Sequence, residues 1–271
     1  MMESAFSSSI GRFWCLPLLA ALLSVPGAAV AQEGDPTAGR GPNQELFYID
    51  TPTIAPIRIQ FPDDYDPDQT YTLVVGLHGH GGRGDEFFTP APRFAAAGLI
   101  YAVLQAPYAL PMVGRIGYSW NLRGVDDEAG DQGEGQLSIG YIMKAVETLV
   151  DRYNVADVYL MGFSQGGTMT YQTAITYHER FKGFMVFGSW FRSEWFTDEQ
   201  ITAANGLRVF VGHGLQDGVV ERSTMSRDIL EEHGYGVTLY DYDGGHMIAQ
   251  SALGEMFRWI DATAGSSSPN R

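Results

Sequence analysis

The chain has 271 residues, 45% of them hydrophobic and 18% charged, with a single cysteine and a formal net charge of −15. Such a composition builds a globular core, and an acidic surface repels phosphate backbones and anionic lipid, which argues against nucleic-acid binding and polybasic membrane attachment. Cys15 alone offers neither a disulfide framework nor a cysteine metal site.

In chain order, the first recognisable segment is a targeting signal. Arg12 precedes an apolar run from Phe13 to Val25, broken by Pro17 and Ser24, and Ala29-Val30-Ala31 stands just before Gln32. A basic residue, a short apolar stretch and a small-x-small site are the parts of a secretory signal peptide. The run falls short of the roughly 20 apolar residues a membrane span needs. Residues 1–31 are therefore expected to be cleaved, leaving a secreted or periplasmic protein with no stable membrane insertion; an uncleaved N-terminal anchor is the alternative. Cleavage would remove Cys15 and leave no thiol to oxidise. Residues 32–44 read as a flexible leader, 45–263 as one domain, and 264–271 as a disordered tail.

Within the domain, Ile57–Phe61 reads as an edge strand between Pro56 and Pro62. Further strands are expected at Thr72–Leu77, Leu99–Leu104, Val158–Gly162, Phe184–Phe187, Leu207–Val211 and Val237–Tyr242. Several are apolar almost throughout, as strands covered on both faces are. Helical patterns fill the gaps at Gly135–Tyr153, Gly167–His178, Val219–His233 and Ala249–Ala262; the first keeps Leu137, Tyr141, Ile142, Ala145, Val146, Leu149 and Val150 on one face. This alternation predicts an α/β fold with a mostly parallel central sheet, helices on both faces, and ligands at the carboxyl ends of the strands.

The loops at those ends carry the chemistry. Gly162-Phe163-Ser164-Gln165-Gly166-Gly167 follows a strand and opens a helix. In that context G-x-S-x-G is a nucleophile elbow, whose sharp turn needs small neighbours and projects the serine above the sheet. It also aims the Gln165 N–H at the substrate carbonyl. A serine hydroxyl needs a base in contact and a carboxylate to orient that base. Of the histidines that follow Ser164, His178 lies in the next helix, His213 closely follows a strand, and His233 ends a helix ahead of Gly234, where a cation suits the helix dipole. His246, in the glycine-rich loop after the last strand, is the expected base. Asp217, in the loop after the penultimate strand, is the expected acid, with Asp243 as the competitor and His213 bracing the loop. Leu77-His78-Gly79-His80-Gly81-Gly82 ends an early strand and can give a second N–H to an oxyanion, from His80 or, alternatively, Gly81. The H-x-H of His78 and His80 as a metal pair is the weaker reading, because no third ligand stands nearby at ligand spacing.

Together LHGHGG, GFSQGG, HGLQDGVV and GGHMI resemble the phospholipase/carboxylesterase family of α/β-hydrolases, which includes acyl-protein thioesterases, over about Pro62 to Ile260. The resemblance implies Ser164 as nucleophile, Asp217 and His246 as its partners, an oxyanion hole from the N–H groups of His80 and Gln165, and neither metal nor organic cofactor. It departs from the family in the export signal, in Gly117–Gly124, a loose match to the family's Trp-containing loop, and in the aromatic stretch Trp190-Phe191 with Trp195-Phe196. Trp120, Trp190 and Met247 are candidate pocket residues, ordinary packing being the alternative. The expected substrate is a small ester or thioester. An extracellular polyester depolymerase or serine peptidase, and more remotely a non-catalytic binding protein, are the other readings; no oligomeric state follows.

Overall fold

The computed structural model describes residues 44–50, 54–121 and 131–264. The signal peptide, nearly all of the leader, almost the whole tail, and the part of the Trp-containing loop beyond Asn121 lie outside the described residues.

The chain enters through an antiparallel pair, β1 (Gln44–Asp50) and β2 (Ile54–Gln60). β3 (Tyr71–Leu77) follows, then two short helices, α1 (Gly84–Phe87) and α2 (Ala91–Ala96), and β4 (Ile100–Leu104). A small antiparallel hairpin, β5 (Tyr108–Met112) and β6 (Arg115–Ser119), precedes the long α3 (Asp131–Arg152). The remainder alternates regularly: β7 (Val155–Phe163), α4 (Gln165–Thr176), β8 (Gly183–Phe187), α5 (Asp198–Ala203), β9 (Arg208–Gly214), α6 (Val220–Glu232), β10 (Gly236–Tyr242) and α7 (Gln250–Ala264).

Eight strands form the main sheet in the order β1-β2-β4-β3-β7-β8-β9-β10. From β4 onward every pairing is parallel; only β1 with β2 and β2 with β4 run antiparallel. Burial explains the apolar runs. Every residue of β4 and of β8 is buried, because helices cover both faces of the sheet. One core layer packs α3, α4, α5 and α6 on the sheet through Ile142, Leu149, Tyr171, Ile201 and Leu230. The other packs α2 and α7 on the opposite face through Phe94, Ala252, Met256 and Ile260; there the Phe94 ring stacks on Tyr101 with centroids 3.8 Å apart.

Two expectations need correction. The strand read at Ile57–Phe61 is not at the edge: β1 pairs with β2 along its full length and takes the outer position, while β2 pairs with β4 from Ile57 on, just past Pro56. On α3, Leu137 and Val150 are exposed. The buried stripe is centred on Ile142, Ala145 and Leu149, and at 3.6 residues per turn those two positions fall off its sides.

The topology fixes where a site can form. β4 follows β3 in sequence and lies on one side of it, whereas β7 lies on the other. Chain direction across the sheet therefore reverses between β3 and β7. The loops leaving their carboxyl ends bound a crevice, the place where ligands bind in such sheets.

Candidate active site

Ser164 stands at the turn from β7 into α4 with φ 53° and ψ −121°, and it is the one non-glycine residue at positive φ among those described. This sparsely populated conformation costs on the order of 1–3 kcal/mol, so its surroundings must impose it. The turn allows no side chain two residues to either side of it. A methyl group on Gly162 would come within 2.2 Å of Gly166 O, and one on Gly166 within 2.1 Å of Leu77 O, where the end of β3 crosses the elbow. The Ser164 N–H is tied to Phe187 O at 2.9 Å, which anchors the strained residue to β8.

Asp217 and His246 reach Ser164 from the two loops beyond β9 and β10. His246 Nε2 lies 2.9 Å from Ser164 Oγ, and His246 Nδ1 lies 2.8 Å from Asp217 Oδ2. A carboxylate only accepts, so the proton sits on Nδ1 and Nε2 is left to accept from the serine hydroxyl. Asp217 is buried, and its other oxygen accepts the Val219 N–H at 3.1 Å. The competitor, Asp243, is exposed and takes no part in this chain. The two loops hold each other backbone to backbone. Leu215 N–H donates to Tyr242 O and Gln216 N–H to Gly244 O, each at 2.9 Å. The Gln216 side chain accepts Gly244 N–H at 2.7 Å, and a methyl group on Gly214 would lie 2.2 Å from Gly244 O. Tyr242 Oη donates to Met247 O, closing the histidine loop; burial, helped by the Asp217 carboxylate, pushes that phenol up to about 12.

Gly188, just after β8, was not singled out from the sequence. Its φ is +56°, and a methyl group there would come within 3.2 Å of both Asp217 Oδ2 and His246 Cε1. A glycine straight after a buried strand was the available signal. The Phe163 ring lies 4.8 Å from the His246 ring and backs it.

On the other flank, the loop after β3 presents His80. The N–H of Gly81, the alternative oxyanion donor, is committed to Tyr118 O at 2.8 Å, and that of Gly82 to Gly79 O. The N–H groups of His80 and Gln165 have no hydrogen-bond acceptor among the described residues, which leaves both open to a ligand. Their positions rest on a buried polar network. Gln165 Oε1 accepts the Trp120 N–H at 3.0 Å, Gln165 Nε2 donates to Asn121 Oδ1 at 2.7 Å, and Trp120 Nε1 donates to His78 O at 2.8 Å. Ser119 Oγ joins Gln165 to the exposed His80 ring, 3.2 Å from its Nδ1.

His78 is a brace. Its Nδ1 faces Gly79 O at 2.8 Å, and its Nε2 accepts the Ala106 N–H at 3.1 Å, so both ring nitrogens are engaged and neither is left for a metal. Burial lowers its pKa to about 4 and keeps the ring neutral. His213 lies under the acid loop with Nε2 3.0 Å from Asp241 Oδ1; burial lowers its pKa against the pull of Asp241 and Asp217. His233 closes α6 with Nδ1 2.8 Å from Ile229 O.

The three aromatic or sulfur candidates separate. Trp120 is fully buried beside His78 and Tyr141 and serves as packing under the loop after β3. Trp190 is half-buried between two cations, with the Arg222 guanidinium 3.8 Å and that of Arg192 4.7 Å from its ring centroid. Met247 is exposed and lines a cleft of about 500 Å³ beside His246.

A family model described as phospholipase/carboxylesterase matches residues 65–264. A probable carboxylesterase of Oryza sativa subsp. japonica (Os04g0669500) is 30% identical over 214 residues, covering 70% of this chain and 76% of the rice protein. Acyl-protein thioesterase 1 of Eremothecium gossypii is 30% identical over 117 residues, 41% of this chain; the match spans only half of that protein's length, 50%. Among solved structures, esterase PE8 superposes with a TM-score of 0.64 at 21% identity, over 76% of this chain and 97% of its own. The last likeness speaks for the α/β-hydrolase fold alone.

Proposed function

Because the chain belongs to the phospholipase/carboxylesterase family of α/β-hydrolases, we propose that it cleaves carboxylic ester or thioester bonds through an acyl-enzyme on Ser164. The observation that carries this reading is the unbroken run from Asp217 through His246 to Ser164, at 2.8 and 2.9 Å, on a serine held in a strained elbow. Ser164 Oγ attacks the carbonyl carbon as its proton passes to His246 Nε2. The oxygen of the tetrahedral intermediate turns toward the N–H groups of His80 and Gln165, and Asp217 holds the imidazolium that forms. His246 returns the proton to the leaving alcohol or thiol. Water then attacks the acyl carbon as its proton passes to the same imidazole, and the bond to Ser164 Oγ breaks as His246 returns that proton to the serine, releasing the acid. Every step uses groups of this chain.

Replacing Ser164 by Ala is expected to lower kcat/KM for a short p-nitrophenyl ester by roughly 10⁴–10⁶-fold. Wild-type rates in that variant would rule the mechanism out. We further propose that the protein acts outside the cytoplasm, on the strength of Arg12, the apolar run and Ala29-Val30-Ala31. N-terminal sequencing of protein recovered from the medium or periplasm should begin at Gln32; a start at Met1 would contradict export by cleavage.

A further inference from the structure

The cleft of about 500 Å³ beside His246 lies within the size range of small-molecule sites. Phe87 comes from α1, Met161 and Phe163 from the end of β7, Met247 and Ile248 from the histidine loop, and Leu253 from α7. Glu86 and Arg93 on its wall are both engaged, Arg93 with another lining residue, Gln250. Glu86 pairs with Arg115 at 3.1 Å, and Arg93 bonds the Gln250 side chain and covers the Phe257 ring. The remaining lining is chiefly apolar.

Its position decides which half of a substrate it takes. When the tetrahedral intermediate collapses, His246 Nε2 hands its proton to the leaving atom, so that atom lies on the imidazole side of Ser164. The carbonyl oxygen lies on the other side, toward His80 and Gln165. A group attached to the leaving atom therefore runs past His246, and His246 is itself part of the wall of the cleft. We propose that this cleft is a leaving-group subsite for an apolar alkyl or aryl alcohol or thiol, so that the enzyme selects its substrates by the alcohol or thiol half. This rests on the hydrolase reading above. The bond from carbonyl carbon to Ser164 Oγ forms, the bond from that carbon to the leaving oxygen or sulfur breaks, and the serine proton reaches the leaving atom through His246. The apolar alcohol or thiol departs from the cleft.

Two substrate series test this. One holds the acyl group at acetyl and lengthens the alcohol from ethyl to hexyl, over which leaving-group acidity hardly changes. The other holds the alcohol at ethyl and lengthens the acyl chain. In the wild type, kcat/KM is expected to rise about fourfold per methylene along the first part of the alcohol series, the gain from burying one CH₂. Ile248→Asp, which puts a charge in the cleft, and Thr89→Trp, which fills its exposed rim, should each flatten the alcohol dependence and leave the acyl dependence as in the wild type. Ester hydrolysis with a flat alcohol series in the wild type overturns the subsite alone. So does an alcohol dependence that survives both variants, or variants that flatten the acyl series instead. Absence of hydrolysis in every member overturns the hydrolase reading and this inference with it.

Discussion

On the side of Ser164 that carries Asp217 and His246, the loops after β9 and β10 meet backbone to backbone, with Gly214 pressed on Gly244 and with N–H groups of Leu215 and Gln216 on carbonyls of the other loop. On the side that carries His80, the loops after β3 and β6 meet the elbow through buried side chains: His78, Ser119, Trp120, Asn121 and Gln165. Backbone contacts set position through the absence of side chains. A buried polar network sets it through donors and acceptors that are costly to leave unpaired. The proposed base and acid thus lean on close backbone contacts, whereas the proposed oxyanion donors lean on buried polar side chains as well as on the backbone contacts of Gly166 with Leu77 and of Gly81 with Tyr118.

The sharpest way to probe the first side is Asp217→Asn, which keeps the shape and removes the charge that fixes the His246 tautomer. It should lower kcat for a p-nitrophenyl ester by roughly 10⁴-fold while far-UV circular dichroism stays unchanged. A loss under tenfold would mean that another group orients His246. For the second side, His80→Pro removes one open N–H and should cost about 10²–10³ in kcat. His80→Ala keeps that N–H and loses an exposed ring with its one contact to Ser119 Oγ, so it should stay within about threefold of wild type. Equal losses in the two would place the effect in the side chain.

Each side also carries a histidine whose pKa burial lowers, His78 on one and His213 on the other, and His78 gives the clearer pH signature. The unfolded chain protonates His78 below its ordinary value of 6.5, but the folded ring resists until about 4. In that window the unfolded state binds more protons, so stability falls as pH drops from 6.5 toward 4, by roughly 3 kcal/mol from this group. Urea midpoints of the wild type should decline more steeply over this range than those of His78→Asn; parallel curves would remove His78 as the cause. The smallest effect is expected at the exposed Gln216, where Gln216→Ala removes one acceptor of the Gly244 N–H and should cost about 1 kcal/mol of stability.

What the sequence disclosed follows from the same contrast. Gly162, Gly166 and the contact of Ser164 with His246 and of His246 with Asp217 are legible because the elbow motif and its expected partners call for particular residue types in fixed order. The buried strands are legible as apolar runs. β1 was not assigned at all, and α1 and α2, with 4 and 6 residues, are too short to show a helical period. The network under the loop after β3 left no trace, because Ser119 and Asn121 are ordinary polar residues until folding buries them against Gln165, 46 and 44 positions away. For the same reason Trp120 reads as a pocket residue and proves to be core. The cleft beside His246 is assembled from elements spread between Glu86 and Leu253, so only the fold brings its walls together.

The central claim is that the acyl group passes through Ser164. Rapid acid quench during turnover of a slow p-nitrophenyl ester, followed by peptide mass mapping, tests it most directly. The account predicts a burst of one p-nitrophenolate per enzyme and the acyl mass on the peptide that contains Ser164, absent in Ser164→Ala. Turnover with the acyl mass on a different residue, or undiminished turnover by Ser164→Ala, would contradict it.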